Sequence, residues 1–233
     1  MCNTFISGAT GKVGRILIKK VLEDADLELS GGSASKESAS LGKDLGTLIG
    51  KENLNINIVD DISNEKDIDL IIDFSRPKNS ISVLRYASKE NIPVVLGTTG
   101  FNDEESNEII RISEKIPVLI APNTSMGLAI FKNLLDQSKD ALKITPLLEI
   151  HEKHHKEKTD TPSGTAINLK EQIKEILPDK EIKIFSVREG DFAGEHALKL
   201  CFEDEVLEIT HKALDRSIFA KGAIIAGKWI KNK

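Results

Sequence analysis

Lys153-His154-His155-Lys156-Glu157-Lys158 places five Lys or His side chains in six positions, and Thr161-Pro162-Ser163-Gly164-Thr165 follows almost at once. Two imidazoles, an ammonium group and a turn rich in backbone N–H donors suit a small polyanion that must also receive a proton. A charge run by itself is most often a solvated loop running into a helix. Here the break that follows is particular. It opens an amphipathic stretch from Ala166 to Leu177, with Ile167, Ile173, Ile176 and Leu177 as apolar positions. The first-turn N–H groups of such a helix, with the Thr165 hydroxyl, form a carboxylate site at the positive end of the helix dipole. Lys158 and His155 then hold a second carboxylate and His154 delivers the proton. Ser163 and Thr165 also read as ordinary helix caps, which is compatible with ligand binding.

His151-Glu152-Lys153-His154-His155 fits the zinc motif H-E-x-x-H as well. That chemistry needs both histidines on one face of a packed helix, with a third ligand. Residues 151 to 160 contain no apolar side chain, so a helix there has nothing to bury. Thr145-Pro146-Leu147-Leu148-Glu149-Ile150 reads as a strand, and Pro162-Ser163-Gly164 cuts the segment short. The zinc reading is set aside, and no metal is expected.

These groups need a scaffold, and the N-terminus begins it. Thr4-Phe5-Ile6-Ser7 is a short apolar strand; Gly8-Ala9-Thr10-Gly11-Lys12-Val13-Gly14-Arg15 and a helical run, Ile16 to Leu22, follow. Strand, glycine turn and helix is the context of a dinucleotide phosphate loop. The spacing is G-x-x-G-x-x-G, with Ala9 where the commoner G-x-G-x-x-G has its first glycine. Further short apolar strands are spaced by helices: Leu27–Ser30, Ile68–Phe74 with a helix after Pro77, Pro93–Gly97 with a helix from about Asn102 to Lys115, and Pro117–Ala121. This alternation predicts an α/β fold with a Rossmann-like, doubly wound parallel sheet.

From about Ala129 the texture changes. One helix to Asp140 is followed by longer alternating strands, Ile182–Arg188, Ala197–Phe202 and Val206–Lys212, which predict an α+β domain with a mixed or antiparallel sheet. Ser217 to Ile230 reads as a helix that packs back on the first domain. The expected division is residues 1–125 with 216–233 for the dinucleotide and 126–215 for substrate and oligomerisation. In open α/β sheets the ligand lies beyond the carboxyl ends of the strands. Phe74-Ser75-Arg76-Pro77, Gly97-Thr98-Thr99-Gly100-Phe101 and Ala121-Pro122-Asn123-Thr124 therefore line a cofactor cleft, with the His-rich segment as its expected far wall.

A chain of 233 residues has room for a proper core. A net charge of −5 and a pI near 5.7 argue against a nucleic-acid protein, so the basic run is a local site. Cys2 and Cys201 are too few for a disulfide framework, and the first ten residues lack a basic, apolar leader pattern. A soluble, cytoplasmic protein is expected, with no nucleic-acid or membrane partner.

Taken in order, GATGKVGR, DFSRP, GTTGF, APNTSMG, EKHHKEKTDTPSGTA, REG, GEH and EITHKA resemble the 4-hydroxy-tetrahydrodipicolinate reductase (dihydrodipicolinate reductase) family over nearly the whole chain. The H-H-x-x-K-x-D-x-P-S-G-T-A block is the specific one. The resemblance implies His154 as proton donor and Lys158 as its catalytic partner. It implies His155, Gly164 and Thr165, with Ser163, as the substrate-binding turn. Gly8, Ala9, Thr10, Gly11, Lys12 and Val13, with Phe74, Arg76, Gly97, Thr98, Thr99, Ala121, Pro122, Asn123 and Thr124, would hold the nicotinamide cofactor. The implied reaction reduces a cyclic conjugated imine bearing two carboxylates: hydride reaches C4 and His154 protonates the enamine. Such enzymes are usually homotetramers paired through the second domain's sheet.

In the family's register the acidic residue that selects NADH falls at Ala34, which neither accepts from a ribose 2′-OH nor repels a 2′-phosphate. Ser33, Ser35 and Lys36 suit a phosphate instead, so NADPH is expected to be preferred over NADH, unless Glu37 takes the acidic role. Only three residues separate Arg188-Glu189-Gly190 from Gly194-Glu195-His196, fewer than in many members, which implies altered subunit contacts. Two rival readings are a non-catalytic NADP-binding regulator and a dehydrogenase for another small dicarboxylate. The former has no use for the His-Lys-Pro-Ser-Gly-Thr segment. Its relatives' Tyr-x-x-x-Lys is also absent, since Tyr86 is followed four residues later by Glu90.

Overall fold

A computed structural model of the chain describes residues 1–191 and 193–233. The described residues fall into two compact units, Met1–Thr124 with Phe219–Lys233, and Ser125–Ile218.

The first unit runs β1 (Cys2–Ser7), α1 (Lys12–Leu22), β2 (Leu27–Ser33), α2 (Leu45–Leu48), β3 (Ile58–Val59), β4 (Leu70–Asp73), α3 (Pro77–Glu90), β5 (Val94–Leu96), α4 (Asp103–Ser113) and β6 (Val118–Ile120); most of α8 (Ser217–Ile230) completes it. The strands pair in the order β3-β2-β1-β4-β5-β6, and every pair is parallel. The inner strands β4 and β5, buried on both faces, read as continuous apolar runs. Ile6, Ile72 and Val95 point into the cluster shared with α1 and α8, whereas Phe5, Ile71, Val94 and Leu96 point into the one shared with α3 and α4. This is the doubly wound sheet expected from the alternation. Local signals set the helix ends. Pro77 opens α3 and Asn91 closes it in the left-handed region at φ 58°. Asn102 and Glu105 form a capping box on α4.

Two features of this unit were not legible in the sequence. Strand β2 continues three residues past Ser30, to Ser33. Helix α2 and strand β3 then occupy a stretch with no clear periodicity. They are organised by one buried carboxylate, Asp44, which accepts from the N–H groups of Gly46, Thr47, Leu54 and Ile56.

The second unit runs α5 (Met126–Gln137), α6 (Lys139–Ile144), β7 (Leu147–His154), α7 (Gly164–Ile176), β8 (Ile182–Arg188), β9 (Gly194–Cys201) and β10 (Val206–Ala213). The single helix expected to Asp140 is two, broken at Ser138 (φ −99°, ψ 20°). The sheet order is β10-β9-β7-β8. β7 is antiparallel to β9 but parallel to β8, because α7 carries the chain back as a crossover. The sheet is thus mixed. Phe192, in the short β8–β9 connection, lies outside the described residues.

β7 corrects the sequence reading most sharply. The strand does not stop at Ile150; it runs on through His151, Glu152, Lys153 and His154. Its alternation is unbroken, with Leu148, Ile150, Glu152 and His154 all buried on one face. The first two join the apolar core with Leu169, Ile173, Leu198 and Leu200. The last two are polar, so their burial has to be met by partners rather than by packing.

Candidate active site

The carboxyl edge of the parallel sheet is built for close approach. Gly8 has φ +81°, and a Cβ there would stand 2.3 Å from the Phe74 carbonyl oxygen. A Cβ at Gly14 would stand 2.1 Å from the Gly8 carbonyl oxygen, so α1 packs against the turn only because residue 14 has no side chain. The N–H groups of Gly8 and Ala9 are both engaged by the Ser33 carbonyl, at 3.1 and 2.8 Å, and Ala9 is fully buried. These two residues therefore shape the turn, and the anion-binding capacity passes to the first turn of α1. That helix starts at Gly11 without a side-chain cap and without an acid in its first turn, leaving its positive end open. Arg15 ties the loop down through the carbonyls of Thr10 and Leu48. A glycine cradle beside an uncapped helix N-terminus fits the pyrophosphate of a dinucleotide.

The neighbouring strand ends are joined through Asp73. Its fully buried carboxylate accepts from Ser75 Oγ at 2.6 Å, from Thr98 Oγ1 at 2.7 Å and from Ser80 Oγ. Thr98 Oγ1 also accepts from the Ser75 N–H at 2.9 Å, so its side chain belongs to the scaffold. The Phe74 ring lies against Gly97, where a Cβ would meet it at 2.4 Å. Arg76, Thr99 and Pro122 are exposed, and Ala121 and Asn123 are half-buried. Thr124 is buried, its hydroxyl donating to the Phe219 carbonyl. Beyond β2, Ala34 is buried with its N–H on the Val59 carbonyl, while Ser35, Lys36 and Glu37 are exposed.

In the second unit the inner sheet face ends in a polar cluster that register explains. Glu152 of β7 stands opposite His196 of β9, and His154 pairs with Arg188 of β8. Glu152, 2% exposed, is ringed by donors, the Ser186 side chain among them. Oε1 accepts from Arg188 Nη2 at 2.7 Å and from the Ser163 N–H at 3.2 Å; Oε2 accepts from Arg188 Nη1 at 2.9 Å and closely contacts His154 Nδ1. Arg188 Nη2 also donates to the Asp160 carbonyl at 2.7 Å, which fastens the loop carrying Lys158. His196 contacts Ser163 Oγ through Nε2 at 3.0 Å and lies edge-on to His154, with ring centroids 4.9 Å apart.

The electrostatics follow from burial and charge. Burial pushes the Glu152 carboxyl up, but Arg188, Ser186 and His154 outweigh it and hold it at about 2. Burial lowers His154; Glu152 pulls it back up, while Lys158 and Arg188 push it further down, and the net shift is downward. His196 is pushed down to about 3 by burial and then by the neighbouring His154. Glu152, His154 and His196 place ligand-type atoms within 4.8 Å of one another. However, both Glu152 oxygens are taken by a guanidinium, whose fixed positive charge opposes a cation there.

Of the residues singled out from the sequence, His154 and Ser163 meet directly at Glu152. Ser163 caps α7, its hydroxyl accepting from the Ala166 N–H at 3.2 Å. Lys158 is half-buried and paired with Asp160 at 2.7 Å, close enough to act on His154 electrostatically. Burial raises the Asp160 carboxyl, but Lys158 and the N–H groups of Asp160 and Gly164 bring it below its ordinary range. His155 is half-buried, and its carbonyl accepts from the Lys158 N–H. Gly164 and Thr165 form the first turn of α7, and nothing among the described residues stands within 4 Å of a Cβ placed on Gly164. Sequence reasoning missed Glu152, Arg188 and His196 as members of the site. The period-2 run Leu148, Ile150, Glu152, His154 was the available signal.

Two family models, described as "Dihydrodipicolinate reductase, N-terminus" and "Dihydrodipicolinate reductase, C-terminus", match residues 2–124 and 127–233. The chain belongs to the dihydrodipicolinate reductase family. Relatives named 4-hydroxy-tetrahydrodipicolinate reductase include that of Chromohalobacter salexigens, 35% identical over 254 residues that span 100% of this chain and 94% of the relative. That of Archaeoglobus fulgidus is 34% identical over 243 residues, spanning 97% and 92%. Among solved structures, a dipicolinate-bound dihydrodipicolinate reductase from Paenisporosarcina sp. TG-14 shares the fold, with a TM-score of 0.80 at 22% identity and coverage of 100% and 95%. Among the described residues, no helix of this reductase-family chain is long and apolar enough to cross a membrane.

Proposed function

We propose that this chain catalyses the NAD(P)H-dependent reduction of 4-hydroxy-tetrahydrodipicolinate to tetrahydrodipicolinate, in cytoplasmic lysine and diaminopimelate biosynthesis. The observation that carries the reading is the buried His154 beside the N-terminus of α7, within a full-length match to the reductase family. Gly11, Lys12 and Val13 would hold the cofactor pyrophosphate, with the loops at Phe74–Arg76, Gly97–Thr99 and Ala121–Thr124 completing the cofactor's surroundings. When bound, the dihydronicotinamide supplies the hydride. His154 gives the substrate a proton, and Lys158 supports the charge. His155, Gly164 and Thr165 hold its carboxylates, with the open first turn of α7 supplying N–H donors. Oxidation of NADPH by the purified protein with freshly made dihydrodipicolinate-synthase product tests the whole; no substrate-dependent oxidation would reject it.

Gly164→Val tests the carboxylate site. Since, among the described residues beyond its chain neighbours and its own helix, nothing lies within 4 Å of a Cβ at 164, the added bulk should leave the fold alone and obstruct only a ligand. The KM for substrate should rise roughly tenfold or more, about the value of one charge-assisted contact, while cofactor affinity without substrate stays put. Equal loss of both would assign the turn to the scaffold.

For the cofactor, we infer NADPH over NADH by roughly tenfold in kcat/KM. β2 ends at Ser33, Ala34 is buried, and Ser35 and Lys36 are exposed where a 2′-phosphate would need donors. Lys36→Ala should erase most of that preference. A clear NADH preference that is unchanged in the variant would contradict it and point to Glu37. A homotetramer is the assembly we infer: Phe185 and Val187 are exposed on the sheet face opposite Glu152, and Phe185 stacks on His151 at 4.7 Å. Light scattering that gave one chain per particle would refute it.

A further inference from the structure

We propose that Glu152, clamped by Arg188, is the positioning residue of this site: it fixes the His154 ring with its proton on Nδ1, so that a proton given to substrate leaves from Nε2. The direction of that transfer rests on the reading of His154 as proton donor; the ring's tautomer does not.

Three observations converge. First, the Glu152 carboxylate is saturated with donors: two from Arg188, one each from the Ser163 N–H and His154 Nδ1, and the Ser186 side chain besides. A carboxylate so placed accepts from the ring and holds it at Nδ1–H. It stays ionised, since its carboxyl lies at about 2, so no proton passes on to it. Second, the far edge of the ring faces a residue with no side chain. A Cβ at Gly194 would stand 2.8 Å from His154 Nε2, and Gly194 holds φ +155°. With no side chain there, the glycine leaves room against the one ring nitrogen that Glu152 does not bind. Third, a buried ion pair is a poor device for stability, because desolvation offsets most of its attraction. Here it adjoins the buried imidazole of His154, and the same carboxylate reaches the α7 turn through Ser163. The ring and the first turn of α7 are therefore held in one register.

The proton balance is simple. An imidazolium carrying hydrogens on both nitrogens loses the one on Nε2 to substrate. The neutral ring that remains keeps the hydrogen that Glu152 already accepts. The ring then regains its Nε2 proton from solvent.

The full-length protein labelled with ¹⁵N-histidine decides the matter without any mutation. Long-range ¹H–¹⁵N spectra at pH 8, with His154 assigned by its loss in His154→Gln, should show Nδ1 protonated and Nε2 bare. A dominant Nε2–H form would overturn the proposal. Glu152→Gln should then lower kcat by roughly 10–100-fold, as for loss of a partner that orients a histidine, and shift the His154 titration to lower pH, with substrate KM within about threefold. A kcat within twofold of wild type and an unmoved titration would equally overturn it. If that variant does not fold, the pair Glu152→Gln with Arg188→Met removes both charges and serves the same measurements. Should His154→Gln keep its turnover, the donor reading fails, while the nitrogen spectrum still decides the tautomer.

Discussion

Replacing His154 by Gln is expected to lower kcat by roughly 10²–10⁴-fold, the usual contribution of a positioned general acid. Glutamine keeps a polar group of similar reach but cannot give up a proton near neutral pH. Cofactor affinity without substrate should change little, because the substitution leaves the glycine turn and the first turn of α1 with all their own contacts. The pH profile supplies a second signature. On the proposed role the protonated ring is the active form, and its pKa lies below the ordinary 6.5 in the free protein because of burial, with Lys158 and Arg188 adding to it. The kcat/KM of the wild type should therefore fall as pH rises through that value, and this limb should vanish in the variant. Lys158→Ala is expected to lose most turnover as well, leaving Asp160 without its ion-pair partner. With both groups proposed to act on one proton, the double variant should be far from additive. Near-normal turnover in His154→Gln would shift the assignment to His155 or His151.

The second large effect is on stability. His154, His196 and His211 are all held below their ordinary pKa, chiefly by burial, and His196 is the extreme at about 3. An unfolded histidine takes up its proton near pH 6.5, while the folded His196 does not until about 3. Between those values the unfolded state binds the extra proton, so stability falls as pH falls. From pH 6.5 to 5, His196 alone costs about 2 kcal/mol, at roughly 1.4 kcal/mol per unit. Glu152 acts further down. Its carboxyl is depressed from 4.5 to about 2, so its contribution is intact above pH 4.5 and is lost as pH falls towards 2. Urea unfolding at pH 7.5, 6 and 5 should show the first decline, and His196→Gln should flatten its slope, whatever that substitution does to the absolute value. Equal stability at pH 7.5 and 5 would mean that the cluster admits protons freely, contrary to its burial.

Much of this protein was legible as a sequence because the signals were local. Alternating apolar strands and helices, the strand–glycine–helix start and Pro77 at a helix start each rest on a few adjacent residues. The parallel sheet they specify needs no distant information beyond its own hydrophobic runs. Ser163-Gly164-Thr165 likewise announces a helix N-terminus, and His154 stands out by its chemistry. Tertiary structure decided what happens to polar groups when they are buried. Residues 151 to 154 carry no apolar side chain, so by themselves they read as loop. They form a strand because Arg188 and His196, 34 and 42 residues beyond His154 in the chain, meet Glu152 and His154 through strand register. Asp44 and Asp73 follow the same logic, each a buried carboxylate that orders loops through donors from several segments. Apolar periodicity foretells burial against other apolar groups. It is blind to burial paid for by hydrogen bonds, since those partners are chosen by the fold and not by the neighbouring sequence.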